Sequence, residues 1–285
     1  MPATPTGVAA SLAGMRIERH TDPVAYAALV RPYLLRDEPR FNLELAVLAR
    51  VERGETYGGG APLLLTVGDA PALMTPPFNV LVAAVPPDGA AGLAAYLHAE
   101  GVTFPGVLGS PETTGVLAEE YTRLSGRAHR VTREQGVYVL RALVPPRPAP
   151  GAPRVATSDD YDVTTAWAAA FAEEVGLPAG DLARMRDRVD EGMVWLWDDG
   201  GPVSLAGCGG FTPNGARVGP VYTPPGLRGR GYASAVTAGA TEALLGRGLA
   251  YTFLYTDLAN PTSNRIYRAL GYEHVADVRE VSFGG

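Results

Sequence analysis

Two runs of one element order, a proline-rich stretch between them and an apolar content of 46% predict an α/β protein of two tandem domains. Each domain is expected to be a mixed, mostly antiparallel sheet flanked by helices. The repeat is the first observation. Residues 15–143 read as strand, two helices, three strands, helix, strand, helix, strand, and residues 154–285 read as the same series. Even the ends of the corresponding strands match: Val82, Ala83, Ala84, Val85, Pro86 and Pro87 beside Pro220, Val221, Tyr222, Thr223, Pro224 and Pro225. The second observation is Val144 to Pro153, with five prolines and no helical or strand period, which predicts a stiff, extended linker at 144–153. The third, the apolar content, comes with sparse charge, 19%, and together they exclude disorder across the whole chain.

Taken in order, residues 1–14 are small and Pro-containing and are expected to form a flexible tail. Met15 to Glu18 reads as a first strand, and Asp22-Pro23 opens a helix through Ala25, Tyr26, Leu29 and Val30. Leu43, Leu45, Ala46, Leu48 and Ala49 recur at helical spacing, and a glycine-rich turn follows at 54–62. Leu63 to Val67, Ala70 to Thr75 and Asn79 to Val85 read as a strand meander. A helix at 89–100, a strand at 105–108, a helix at 111–125 and a long strand at 128–140 complete the first half. In the second half, a strand at 154–157 precedes helices at 159–174 and 181–191. Strands at 193–197, 202–211 and 217–223 come next, and the last strand spans 274–283.

Composition removes several classes of function. The formal net charge is -6, every basic residue is arginine and no basic block occurs, so no nucleic-acid partner is expected. The single cysteine, Cys208, excludes an intramolecular disulfide and sits in an apolar run as a core thiol. His20, His98, His129 and His274 are scattered without metal-ligand spacing, so no metal is expected. No apolar run reaches a membrane span and the start lacks the pattern of a secretory signal, so a cytoplasmic protein without membrane contact is expected.

The stretch from Val218 to Tyr272 carries the chemistry. An apolar strand stops at Pro224-Pro225 and turns through Arg228, Gly229, Arg230, Gly231, Tyr232 and Ala233 into a helix. Unpaired N–H groups and the helix dipole make such a turn an anion site, and glycine lets a phosphate approach the backbone. It is not a nucleotide P-loop, because the Lys-Ser/Thr ending is missing, nor does its glycine spacing fit the dinucleotide fingerprint. Next come a strand at 249–255 and a helix capped by Asn260 with Pro261 at its first position, carrying Ser263, Asn264 and Tyr267.

Arg-x-x-Gly-x-Ala (Arg228, Gly231, Ala233) resembles the acyl-CoA pyrophosphate loop of the GNAT superfamily of N-acyltransferases. Asn-Pro-x-Ser-Asn-x-x-Tyr followed by Gly-Tyr resembles its second signature. The resemblance implies a catalytic N-acetyltransferase domain at 154–285, with acetyl-CoA as co-substrate and an amine as acceptor. In the first half the arginines are replaced by Asp88, Gly89, Ala90, Ala91 and Gly92, and Pro111, Glu112, Thr113 and Thr114 stand where the second signature would be. Residues 15–143 are therefore expected to be a degenerate GNAT-like domain that shapes the substrate side; an unrelated α/β domain is the alternative.

The resemblance also implies roles. Val221, Tyr222 and Thr223 would offer backbone groups to pantetheine and thioester. The amides of Gly229, Arg230, Gly231, Tyr232, Ala233 and Ser234 would hold the pyrophosphate, with Arg228 and Arg230 adding charge. Tyr267 would protonate the leaving thiolate, on one helix face with Ser263 and Asn264. Asn260 caps its helix and could touch the CoA arm. No Glu or Asp lies in 217–223, so the base is sought at Glu173 and Glu174, with Asp257 a third option. Trp195 and Trp197 share a strand face and either line an acceptor pocket or pack in the core. The alternatives are a non-catalytic acyl-CoA sensor or an unrelated anion-binding protein. Acceptor, acyl length and oligomeric state are not written in these motifs.

Overall fold

The computed structural model describes residues 9–12, 15–55, 60–177 and 184–284. The chain forms two units: one gathers the chain up to Val137 with Asp257–Ala259 and the chain from Val275, and the other holds Tyr138–Thr256 and Asn260–His274.

The first unit contains β1 (Ala9–Leu12), β2 (Met15–His20), α1 (Pro23–Leu34), α2 (Asn42–Glu52), β3 (Leu63–Val67) and β4 (Ala70–Met74). It continues with β5 (Val80–Val82), α3 (Pro87–Ala99), β6 (Gly106–Gly109), α4 (Pro111–Ser125) and most of β7 (His129–Leu140). β1 to β5 pair antiparallel in succession, and β5 runs parallel to β6. Every residue of β3 is buried, because helices cover both faces, so the strand reads as a continuous apolar run. Leu63, Leu65 and Val67 pack in a cluster with Leu93, Leu97 and Leu117 of α3 and α4. Leu64 points the other way, to Tyr26, Val30 and Leu48 of α1 and α2. α1 starts where the Asp22 carboxylate accepts from the Val24 and Ala25 N–H groups, and α4 where Ser110 accepts from Thr113.

The second unit contains β8 (Ala152–Val155), α5 (Tyr161–Glu174), α6 (Met185–Asp190), β9 (Val194–Asp198) and β10 (Pro202–Gly209). β11 (Gly215–Tyr222), α7 (Tyr232–Gly246), β12 (Tyr251–Asp257) and α8 (Pro261–Ala269) complete it. β8 to β11 pair antiparallel in succession, and β11 runs parallel to β12. This is the pairing of β2 to β6 over again. One face of the sheet packs Trp195, Ala206, Cys208, Ala216 and Val218 against Val236, Ala240 and Leu244 of α7. The other packs Val194, Leu196 and Leu205 against Ala168 of α5 and Met185 and Val189 of α6.

Four expectations are altered. Ala9–Leu12, part of the expected tail, pairs with β2 from Ala9↔Glu18 to Leu12↔Met15; residues 1–8 and 13–14 lie outside the described residues. Ala152 and Pro153, assigned to the linker, belong to β8, which pairs Ala152↔Asp198. The last strand, β13 (Glu273–Phe283), does not stay with the second unit: it enters the first, where Arg279↔Gly109 through Ser282↔Gly106 pair it antiparallel with β6. Of the helix expected at 181–191, α6 covers Met185–Asp190. Residues 181–183, and residues 56–59 of the glycine-rich turn, lie outside the described residues. Among the described residues, no helix is long and apolar enough to cross a membrane.

Candidate active site

β11 and β12 part company in the second unit. They pair at Gly215↔Tyr251, Ala216↔Thr252 and Arg217↔Phe253, and β11 then runs on to Tyr222 and β12 to Asp257 without further pairing to each other among the described residues. A bulge bends β11 at the same point. Its partner β10 is in register at Cys208↔Val218 and again at Ala206↔Val221, so Gly219 and Pro220 face Gly207 alone. A bulge twists its strand and re-aims the residues beyond it, and the cleft opens there. Val221 is half-buried, while Tyr222 and Thr223 are buried. The buried Ser204 hydroxyl donates to the Tyr222 carbonyl at 3.0 Å and lies 2.7 Å from the Thr223 hydroxyl, fixing the end of the strand.

Beyond Thr223 the chain makes the glycine turn. Gly229 and Gly231 have φ of +80° and +87°, in the left-handed region, which a side chain would strain. Gly231 is the N-cap of α7 and gives no side-chain cap. The α7 ladder starts with the Ala235 N–H on the Gly231 carbonyl at 3.0 Å, so the N–H groups of Tyr232, Ala233 and Ser234 lie ahead of it. Arg228, Gly229, Arg230 and Gly231 are exposed. Tyr232 is buried, and its hydroxyl donates to Asp199 at 2.5 Å, anchoring the turn to the β9–β10 hairpin. The turn is thus an open, fixed array of donors at a helix N-terminus, which fits a pyrophosphate.

Arg228 reaches backward. Its Nη2 donates to both Glu174 carboxylate oxygens, at 2.7 and 2.8 Å, and its Nε to the Thr223 carbonyl at 2.9 Å. The guanidinium lies 5.8 Å from the centre of the Tyr222 ring, whose hydroxyl is 3.4 Å from Glu174. Glu174, Tyr222 and Arg228 therefore meet at one place. Glu173, its neighbour at the end of α5, is exposed. Asp257 instead accepts from the Ala259 N–H at 2.7 Å and belongs with the first unit.

Asn260 caps α8, accepting from the Ser263 N–H at 3.1 Å, with Pro261 at the start of the helix. Asn264 is buried. Tyr267 packs against the cluster that holds Ala238 of α7 and Leu254, the first β12 residue past the paired segment, and its ring meets Tyr272 edge-on at 6.0 Å. Burial pushes the Tyr267 phenol up to about 12, so it holds its proton at neutral pH. Its hydroxyl has no hydrogen-bond partner among the described residues. Tyr267 packs with Leu254 of β12, whereas Tyr222, Glu174 and Arg228 gather at the end of β11.

Trp195 packs in the α7-facing core, and the Trp197 indole donates to the Pro150 carbonyl at 2.6 Å, pinning the proline-rich stretch to β9. Cys208 is fully buried, and burial pushes its thiol up to about 12, away from the thiolate a nucleophile requires. Among its described residues the first unit offers no equivalent turn. α3 begins at Pro87, which has no N–H to give, and Gly89 in its first turn is buried. A Cβ there would lie 2.6 Å from both Met15 Sδ and Val85 Cγ1.

A family model described as the acetyltransferase (GNAT) family matches residues 161–272. Among solved structures, a Drosophila protein superposes with a TM-score of 0.66 at 14% identity, covering 94% of this chain and 98% of its own. A GCN5-related N-acetyltransferase from Sphaerobacter thermophilus gives 0.60 at 18% identity, with 99% and 97% covered. A tandem GNAT protein from the clavulanic acid biosynthesis pathway gives 0.54 at 13% identity, with 95% and 99% covered. No curated protein matches the chain in sequence.

Proposed function

Starting from a second unit that carries a GNAT-family acetyltransferase domain at residues 161–272, we propose that this chain is an acyl-CoA-dependent N-acyltransferase. It transfers acetyl from acetyl-CoA to a primary amine of a small molecule or peptide, by direct attack in a ternary complex. The observation that carries this reading is the parting of β11 and β12 beside the uncapped, glycine-rich start of α7.

Acetyl-CoA, when bound, supplies an activated acetyl thioester. The N–H groups from Gly229 to Ser234 hold the pyrophosphate, with Arg230 and Arg228 adding positive charge. The edge of β11 from Val221 to Thr223 that faces the cleft offers backbone groups to the pantetheine arm, and one N–H there polarises the thioester carbonyl. Asn260 and Asn264 border the same arm from α8. An alkyl amine has a pKa of about 10.4 and must lose a proton before it attacks. Glu173 or Glu174, at the end of α5, takes it; the position of Glu174 beside Tyr222 supports Glu174. The C–N bond forms and the C–S bond breaks; Tyr267 gives its proton to the departing sulfur and recovers one when the nitrogen, positively charged after attack, sheds its second proton.

A thermal melt with acetyl-CoA tests the cofactor. At about a hundred times its dissociation constant a ligand adds about 2.7 kcal/mol to the native state, and the upward shift should vanish in Arg228→Glu, which sets a carboxylate against Glu174 and the phosphates. A shift that persists in the variant would remove Arg228 from the site; no shift in the parent would overturn the function. One second reading draws on Glu174 being held by Arg228: an acyl-CoA sensor that binds without turnover. Thiol release on adding an amine separates the two.

A further inference from the structure

Two arginines of the second unit, Arg188 and Arg217, turn toward the same end of β10, and no salt bridge holds either among the described residues. Ala216 and Val218 of β11 face the α7 core, so Arg217 between them projects to the opposite face, where α6 carries Arg188. The register sets Gly209 opposite Arg217, and the two glycines at the end of β10 make room for both side chains. A Cβ on Gly210 would lie 2.6 Å from Arg217 Nη2 and 3.1 Å from its Nε, and one on Gly209 would lie 4.0 Å from Arg188 Nε. The Arg217 guanidinium lies 5.3 Å from the centre of the Tyr255 ring, and its Nε is buried with no hydrogen-bond partner. Among the described residues neither arginine forms an ion pair or side-chain hydrogen bond. Burial first, and Arg217 next, hold the Arg188 guanidinium below its usual range; Glu191 and Arg184 are the other charged side chains that act on it.

Half-buried like charges turned to one place repel each other unless an anion joins them. The planar forks of two arginines suit a carboxylate, which accepts in bidentate fashion. The place also matters. Arg217 is the last β11 residue paired with β12, so the pair sits at the closed end of the cleft. Thr223, where the glycine turn begins, is six residues further on, roughly 20 Å along an extended strand. An anion at Arg188 and Arg217 is therefore not the pyrophosphate held by α7.

We propose that Arg188 and Arg217 bind a carboxylate of the acceptor, which makes the acceptor an amine that also carries a carboxylate, such as an amino acid. This rests on the acyltransferase reading above. The test measures thiol release from acetyl-CoA with a set of amino acids, each paired with its carboxamide. The acid member should be preferred by about tenfold or more in kcat/KM. Arg217→Gln and Arg188→Gln should each raise KM for the acid by roughly thirtyfold, with kcat much less affected and the acetyl-CoA melting shift kept, and Arg217→Lys should recover part of the loss. Equal use of acid and amide, or variants that change both members alike, would overturn the proposal. If no pair turns over, the same compounds are compared by melting in the presence of CoA. Stabilisation by acids alone, lost in Arg217→Gln, supports the site, and no difference between acid and amide rejects it. A parent protein that shows no acetyl-CoA shift at all fails at the earlier step and takes this proposal with it.

Discussion

Tyr267 is the residue on which the proposed chemistry turns, and its surroundings define what it can do. A phenol pushed up to about 12 by burial is a proton donor at neutral pH and not a base. Tyr267→Phe keeps the ring packing and removes the proton. It is expected to lower kcat by about a hundredfold while leaving the acetyl-CoA melting shift in place; an unchanged kcat would assign Tyr267 to the core alone. The Asn260 cap was legible in the sequence because capping is a local rule, and Tyr267 was singled out by the resemblance of its motif. The Glu174–Arg228 pair was not, since the two residues lie 54 positions apart and nothing local joins them. Arg188 and Arg217 escaped for a related reason. An arginine in a short helix and another on a strand read as solvated charges, and only strand pairing turns them to one place. The signal was there in part: Arg217 sits between two core residues, opposite a Gly-Gly pair.

At the scale of elements, α7 and α3 show how one helix start is kept open and another closed. α7 begins at a glycine in the left-handed region, with Gly229 clear of any neighbour within 4 Å. α3 begins on prolines and buries its first turn against Met15 and Val85. Gly231→Ala must hold an L side chain at φ +87°, at a cost of about 1–2 kcal/mol, and it displaces the N–H groups that open α7. Its melting temperature should fall and acetyl-CoA affinity should drop with it; an unchanged affinity would show that the turn is not the phosphate cradle. The series of strands and helices was legible from period and from proline and glycine punctuation. The bulge at Gly219-Pro220 was not, because a two-against-one register exists only once β10 is alongside.

For the whole molecule, the two units share one order of strands, antiparallel in succession and then parallel across a helix, and among the described residues only the second presents the open turn. Calorimetric titration should therefore find one acetyl-CoA per chain; two would restore the first unit as a binding domain. The repeat could be read from the sequence because duplicated spacing survives even where the motif residues have changed. The destination of β13 could not, because an alternating strand declares which face is apolar and not which edge it joins. That destination sets an order of events during synthesis. The β8–β12 sheet of the second unit is available as soon as Asp257 has been made, whereas the sheet of the first unit waits for β13, whose partner β6 was made far earlier. Until then β6 is an open edge on a nascent chain, the kind of surface that invites pairing with the wrong strand. Thus the domain translated first is the one completed last, and a chain cut short before β13 would leave that edge exposed for good.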